Sequence, residues 1–197
     1  MTYLRSLPDG TLFDIFLQYP QFSAPLHVFL EALLRGDSPF SPAEREMLAG
    51  YVSGVNECGF CSTVHIGVAE GLGTEEGLVR QLLNDPEVMA APERMRPVLR
   101  YVRKLTERPA AVAQADVDAI LAAGWDESAV VYANLTCGAF NLFNRWVEGL
   151  GVDADPKYVK ATIRQLIDGA YLGVNDMVER INARKEKPTY RSTARIS

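Results

Sequence analysis

The sequence is sparing with the residues that build extracellular scaffolds and metal cages: among 197 residues there are three cysteines, two histidines and two tryptophans. Three thiols are too few, and odd in number, for a disulfide framework. Two of them, Cys58 and Cys61, stand three residues apart, which in a reducing compartment points to redox or metal chemistry. Positive charge is also short, with 20 Lys and Arg against 25 Asp and Glu, a net charge of −5. A phosphate backbone finds no electrostatic footprint there, so nucleic acid is not expected as a partner. No run approaches the ~20 apolar residues that span a bilayer, and the first residues, Met1 to Arg5, lack a basic region followed by an apolar one. The expectation is a cytoplasmic protein without a membrane partner. Sustained period-2 alternation is missing as well, which leaves no signal for strands. What remains, 48% hydrophobic and 23% charged, is the composition of an ordinary globular chain.

Apolar residues recur instead at helical spacing, and the chain reads as all-α. A short helix and a second one carrying Val28, Phe29, Leu33 and Leu34 lie between Leu12 and Arg35, broken at Tyr19-Pro20. Ser41-Pro42-Ala43-Glu44 is a capping box with proline at the first helical position. The helix it starts carries Met47, Leu48, Tyr51, Val52 and Val55 on one side. Glu46, Gly50, Ser53 and Gly54 on the other are small enough, in the main, to let a neighbouring helix approach. After a turn at Asn56-Glu57 a helix runs from about Cys58 to Gly71, and Thr74-Glu75-Glu76 caps a short one that ends before Asn84-Asp85-Pro86. Further helices are expected over Pro92 to Glu107, Ala115 to Ala123, Asp126 to Glu148 and Pro156 to Ala170, with a bend or restart near Gly173-Val174-Asn175-Asp176. This divides the chain into an N-terminal helical extension (1–40), a helical domain (41–184) and a polar, basic tail (185–197). Glu70-Gly-Leu-Gly73 recurs as Glu148-Gly-Leu-Gly151, each time closing a helix, which recurrent glycine caps explain as well as a duplication does.

The segment Glu57-Cys58-Gly59-Phe60-Cys61-Ser62-Thr63-Val64-His65 carries the chemistry. On a helix, Cys58 and Cys61 are one turn apart, and Cys61 and His65 are i,i+4 neighbours on the same face. Proximity to a helix N-terminus favours thiolate over thiol. A histidine one turn on can take the proton of Cys61, and two thiols at this spacing can close a disulfide. Glu46, about ten residues before the turn, and His65, about nine after it, each lie roughly 15 Å from it at ~1.5 Å per residue. In an antiparallel hairpin they are level, and the carboxylate can hydrogen-bond the imidazole and fix its tautomer.

Other readings of the same residues stay open. The cysteines can be two buried apolar groups, or, with His65, three zinc ligands, although no fourth ligand stands at a customary spacing. The remaining histidine, His27, lies on a mostly apolar helix and reads as partly buried, and Cys137 reads as a packed core thiol. Asn141, Asn144 and Arg145 line either a pocket or a helix contact. Phe60 either walls an apolar pocket or belongs to the core. A thiol-disulfide oxidoreductase or a redox sensor would use the same groups as a peroxidase.

Glu46 followed twelve residues later by Cys58-x-x-Cys61-x-x-x-His65 resembles the alkylhydroperoxidase D and carboxymuconolactone decarboxylase superfamily, and within it the peroxidase-related group. Thr136-Cys-Gly-Ala-Phe-Asn-Leu-Phe-Asn-Arg145 with Glu148-Gly-Leu-Gly-Val152 resembles that group's second signature, and the likeness covers roughly residues 40 to 155. The resemblance implies an alkylhydroperoxidase D-like fold in which a central antiparallel hairpin carries the cysteines and the histidine. It implies a homo-oligomer (dimer, trimer or hexamer) and a dithiol that reduces small-molecule peroxides and is recharged by an external thiol or dithiol, with no bound cofactor or metal. By it, Cys61 is the attacking thiol, Cys58 the resolving one, and His65 and Glu46 the proton relay. Phe60 stands where alkylhydroperoxidase D has a second histidine, so the relay implied here is shorter. The intact cysteine pair argues against lactone decarboxylation, whose enzymes do not generally carry it.

Overall fold

The computed structural model describes residues 2–153 and 155–186, and every regular element among them is helical. These are α1 (Leu12–Gln18), α2 (Pro20–Leu34), α3 (Pro42–Val55), α4 (Gly59–Gly71), α5 (Leu78–Asn84), α6 (Arg96–Glu107), α7 (Gln114–Ala122), α8 (Glu127–Gly149) and α9 (Pro156–Glu186), with short 3-10 turns before and after α6. The expected tail lies, from 187 on, outside the described residues. No helix among the described residues is long and apolar enough to cross a membrane.

The two longest-range decisions are local in origin. At Ser41 the hydroxyl accepts from the Glu44 amide (3.2 Å) and the Glu44 carboxylate accepts from the Ser41 amide (2.8 Å), so α3 starts there. At its far end Glu57 adopts φ 58°, and the Cys58 amide donates back to the Ser53 carbonyl at 2.9 Å. The chain reverses, and α4 runs back along α3, with the Ser62 hydroxyl donating to the Gly50 carbonyl. A Cβ on Gly50 would sit 2.9 Å from the Ile66 amide nitrogen, so glycine sets how closely the two backbones approach. Around this pair, α6 and α8 pack on α3, and α9 packs on both α2 and α4.

Three local expectations shift. Thr74-Glu75-Glu76 does not cap α5, which begins at Leu78 behind Gly77 (φ 80°). The Glu70 carboxylate accepts from the Gly77 amide and from Arg80, capping α5 from the end of α4. The helix expected from Pro92 opens instead with a 3-10 turn and becomes α only at Arg96. The bend expected near Gly173 falls at Ala170 (φ 48°, ψ −154°), in a region that side chains other than glycine rarely adopt. Tertiary contacts hold it. The Glu31 carboxylate accepts from the Tyr171 and Leu172 amides that open the second half of α9, while Arg35, the residue that follows α2, donates to the Leu166 carbonyl before the break.

Candidate active site

Cys58 is the residue preceding α4 and Cys61 lies in its first turn; both are free thiols and buried. His65, one turn further, meets Glu46 of α3, with Nδ1 2.7 Å from Oε2. All four expected residues are thus within two neighbouring helices, but they are not one continuous chain: no hydrogen bond among the described residues joins Cys61 to His65.

Two residues that sequence reasoning missed complete the group. Arg35, the residue that follows α2, donates to Glu46 Oε1 at 2.7 Å, and the Tyr171 hydroxyl donates to the same oxygen at 2.9 Å. Tyr171 also lies 3.5 Å from His65 Nδ1, and Arg35 stands over its ring. Glu46 has no exposed surface. Burial alone would raise its pKa, but His65 and Arg35 outweigh that and hold the carboxyl below its ordinary value. Tyr171 behaves oppositely: burial, reinforced by the charge of Glu46, pushes its pKa well up, so the phenol keeps its proton and remains a donor. No local sequence signal marks either residue, because they reach the site from helices before and after the motif.

The thiols differ from the simple expectation of an activated helix N-terminus. The Cys61 pKa is pushed well up, first by its hydrogen bond with Cys58 and then by burial, while a hydrogen bond with Asn144 acts the other way. With its pKa raised in this way, ionisation of Cys61 needs a base rather than the helix dipole alone. Asn144 belongs to a polar cluster behind the thiols, in which its amide donates to Ser53 Oγ (2.9 Å) and its carbonyl accepts from Asn56 (2.9 Å). Asn141 joins this cluster and Arg145 donates to it, a helix contact and not a wall of the cavity. Cys137 is buried against Thr106 and Asn141, and burial raises its pKa. Among the described residues no group of three or more His, Cys, Asp or Glu could hold a metal ion.

In front of Cys61 and His65 lies a cavity of about 430 Å³ between α1, α2, α4, α8 and α9. Its walls are mainly apolar: Phe16, Phe60, Val64, Phe140, Phe143 and Leu166 are among them. Phe60 stacks on Tyr158 with ring centroids 5.6 Å apart, and His65 meets Phe140 edge-on at 4.5 Å. Cys61 reaches this space, whereas Cys58 lies behind it with no exposed surface.

Residues 20–104 match the model of the carboxymuconolactone decarboxylase family. Among solved structures, the chain is similar to an uncharacterized peroxidase-related protein from Silicibacter sp. TM1040, with TM-score 0.66 and 22% identity over 75% of this chain and 78% of that one. It is also similar to an alkylhydroperoxidase AhpD core, an uncharacterized peroxidase-related protein from Ralstonia eutropha JMP134. That superposition has TM-score 0.68 and 20% identity over 74% of this chain and 76% of the other. No curated protein matches the chain. The matched segment carries Arg35, Glu46, both cysteines and His65, and the structural likeness covers about three quarters of the chain. The chain therefore has the all-helical alkylhydroperoxidase D-like fold, and its residues 20–104 are similar to the carboxymuconolactone decarboxylase family.

Proposed function

We propose that the protein is a thiol-dependent peroxidase that reduces organic hydroperoxides with Cys61 and Cys58. The observation that carries this reading is the placement of Cys61 and His65 on one apolar cavity, with Cys58 sealed behind and Glu46 clamping the imidazole. A hydroperoxide in that cavity bridges the gap between the thiol and the free side of the histidine. Cys61 sulfur attacks the distal oxygen and the O–O bond breaks. The thiol proton passes by way of His65 to the departing oxygen, which leaves as an alcohol, and Cys61 becomes a sulfenic acid. The Cys58 thiol then attacks that sulfur, a disulfide forms and water leaves, after which an external thiol or dithiol restores the pair. Burial of both sulfurs favours small substrates, because a protein disulfide cannot enter a cavity of this size. The reading includes homo-oligomeric assembly, supported by Val131, Leu135 and Leu142 exposed along α8 and by Phe22 and Phe29 on α2.

Trapping with a dimedone-type reagent tests the order of the thiols. Cys58→Ser should react once with cumene hydroperoxide and stall as a labelled Cys61 sulfenic acid, whereas Cys61→Ser should carry no label. Label on Cys58 in the Cys61→Ser protein would reverse the roles. Unreacted, alkylatable thiols in the wild-type protein after stoichiometric hydroperoxide would end the peroxidase reading.

A further inference from the structure

Cys61 borders the cavity but is only 4% exposed, so the walls decide what reaches its sulfur. One wall is α1, which contributes Thr11, Leu12, Phe13 and Phe16. At seven residues it depends on tertiary contacts to stay helical and in place. Ser23 of α2 and Asn182 of α9 hold its far end, donating to the Phe16 (3.2 Å) and Leu17 (3.1 Å) carbonyls. At its near end the Tyr158 hydroxyl of α9 accepts from the Phe13 amide at 3.1 Å. That amide lies in the first turn, where a helix offers no acceptor of its own, and the Thr11 side chain is already engaged with Asp14. The ring of the same tyrosine lies flat on Phe60, with the two planes 2° apart. Phe60 precedes Cys61 and borders two spaces, the apolar cavity and an outer cleft lined by Glu57, Gly59 and Thr63 among others. Tyr158 therefore ties together the short wall helix and the ring that partitions the thiol's cavity from the outer cleft.

We propose that Tyr158 is the residue that sets the size of molecule admitted to Cys61, its hydroxyl latching α1 over the cavity while its ring holds Phe60 in the partition. The inference rests on the peroxidase reading for the kind of molecule that is selected; the latch itself stands on α1, α9 and Phe60. A volume of about 430 Å³ is at the low end for pockets that take small organic molecules. Compact molecules enter it with α1 in place. A larger one enters only when the first turn of α1 lifts away, which breaks the hydrogen bond from the Phe13 amide to Tyr158. The hydroperoxides selected are thus compact tert-alkyl or single-ring aryl compounds, in preference to polycyclic ones.

Alkylation of the reduced protein tests this without peroxide chemistry. N-Methylmaleimide and N-(1-pyrenyl)maleimide add to the same thiolate, so any change in the reactivity of Cys61 itself cancels in the ratio of their rates, read site by site from peptide masses. Tyr158→Phe keeps the ring stack and loses the hydroxyl. It should raise the pyrenyl-to-methyl ratio at Cys61 about fivefold, the worth of one hydrogen bond. Tyr158→Leu, which loses the stack as well, should raise it further. Amide hydrogen exchange in α1 should quicken by a similar factor in Tyr158→Phe, with α4 unchanged. Cys137, buried away from the cavity, should stay unlabelled over the same time. An unchanged ratio in Tyr158→Phe, α1 exchange no faster than in the wild-type protein, or labelling of Cys137 in step with Cys61, the mark of general loosening, would each overturn the proposal. A shifted ratio in a protein that consumes no hydroperoxide would overturn only the peroxidase reading.

Discussion

Glu46 illustrates at the scale of one residue why a buried charge is tolerated. Its carboxylate lies in a dry interior yet meets Arg35, His65 and Tyr171, so both oxygens are paired and the penalty of desolvation is offset. His27 is the contrasting case, a titratable ring kept neutral because burial outweighs the pull of the Ser23 backbone. Folded His27 gains a proton only near pH 4, whereas an unfolded imidazole gains one near 6.5. Between those values the unfolded chain binds the extra proton. Stability is therefore complete above pH 6.5 and falls as the pH drops toward 4, by on the order of 3 kcal/mol from this residue. Thermal melts from pH 7 to 4 should show a steeper acid loss for the wild-type protein than for His27→Phe. Parallel curves would mean that His27 titrates normally in the fold.

At the scale of elements, the hairpin of α3 and α4 and the break in α9 together hold the site's geometry. The hairpin brings Glu46 and His65 level only because Gly50 admits the Ile66 backbone, and a side chain there meets peptide nitrogen as well as a flexible tip. Gly50→Ala should therefore destabilise the protein by about 1–3 kcal/mol despite alanine's better helix propensity. It should also slow hydroperoxide reduction by loosening the carboxylate from the imidazole. A raised melting temperature, the outcome propensity alone would give, would show that the close approach is not limiting. The α9 break works in the same direction from the other side: Glu31 and Arg35 fix its two ends, and this aims the Tyr171 hydroxyl at Glu46.

For the molecule as a whole, the apolar residues exposed on α8 and α2 bear on assembly. Leu135 is 43% exposed, Leu142 49% and Phe22 58%, apolar surface that association with a second copy would cover. Light scattering at micromolar concentration should give a mass that is a whole multiple of the chain, and Leu135→Glu should lower it. A wild-type monomer would contradict the oligomeric reading.

The sequence by itself determined the helical class, the start of α3 at Ser41, the reversal near Asn56 and the pairing that brings Glu46 opposite His65. All of these follow from caps, periodicity and helix rise acting over short stretches of chain. It also marked the cysteine pair and the imidazole one turn on, although their spacing left redox, metal-binding and packing readings open. Tertiary structure alone decided the rest. Arg35 and Tyr171 converge on Glu46 from α2 and α9, separated by more than a hundred positions, and nothing in their neighbours' periodicity reports that contact. The raised pKa of Cys61 likewise depends on its contact with Cys58 and on burial, which follow from how α1, α2, α4, α8 and α9 close around the cavity. Local propensity sets where helices begin and end, while the partners of a buried polar atom are chosen by how those helices pack.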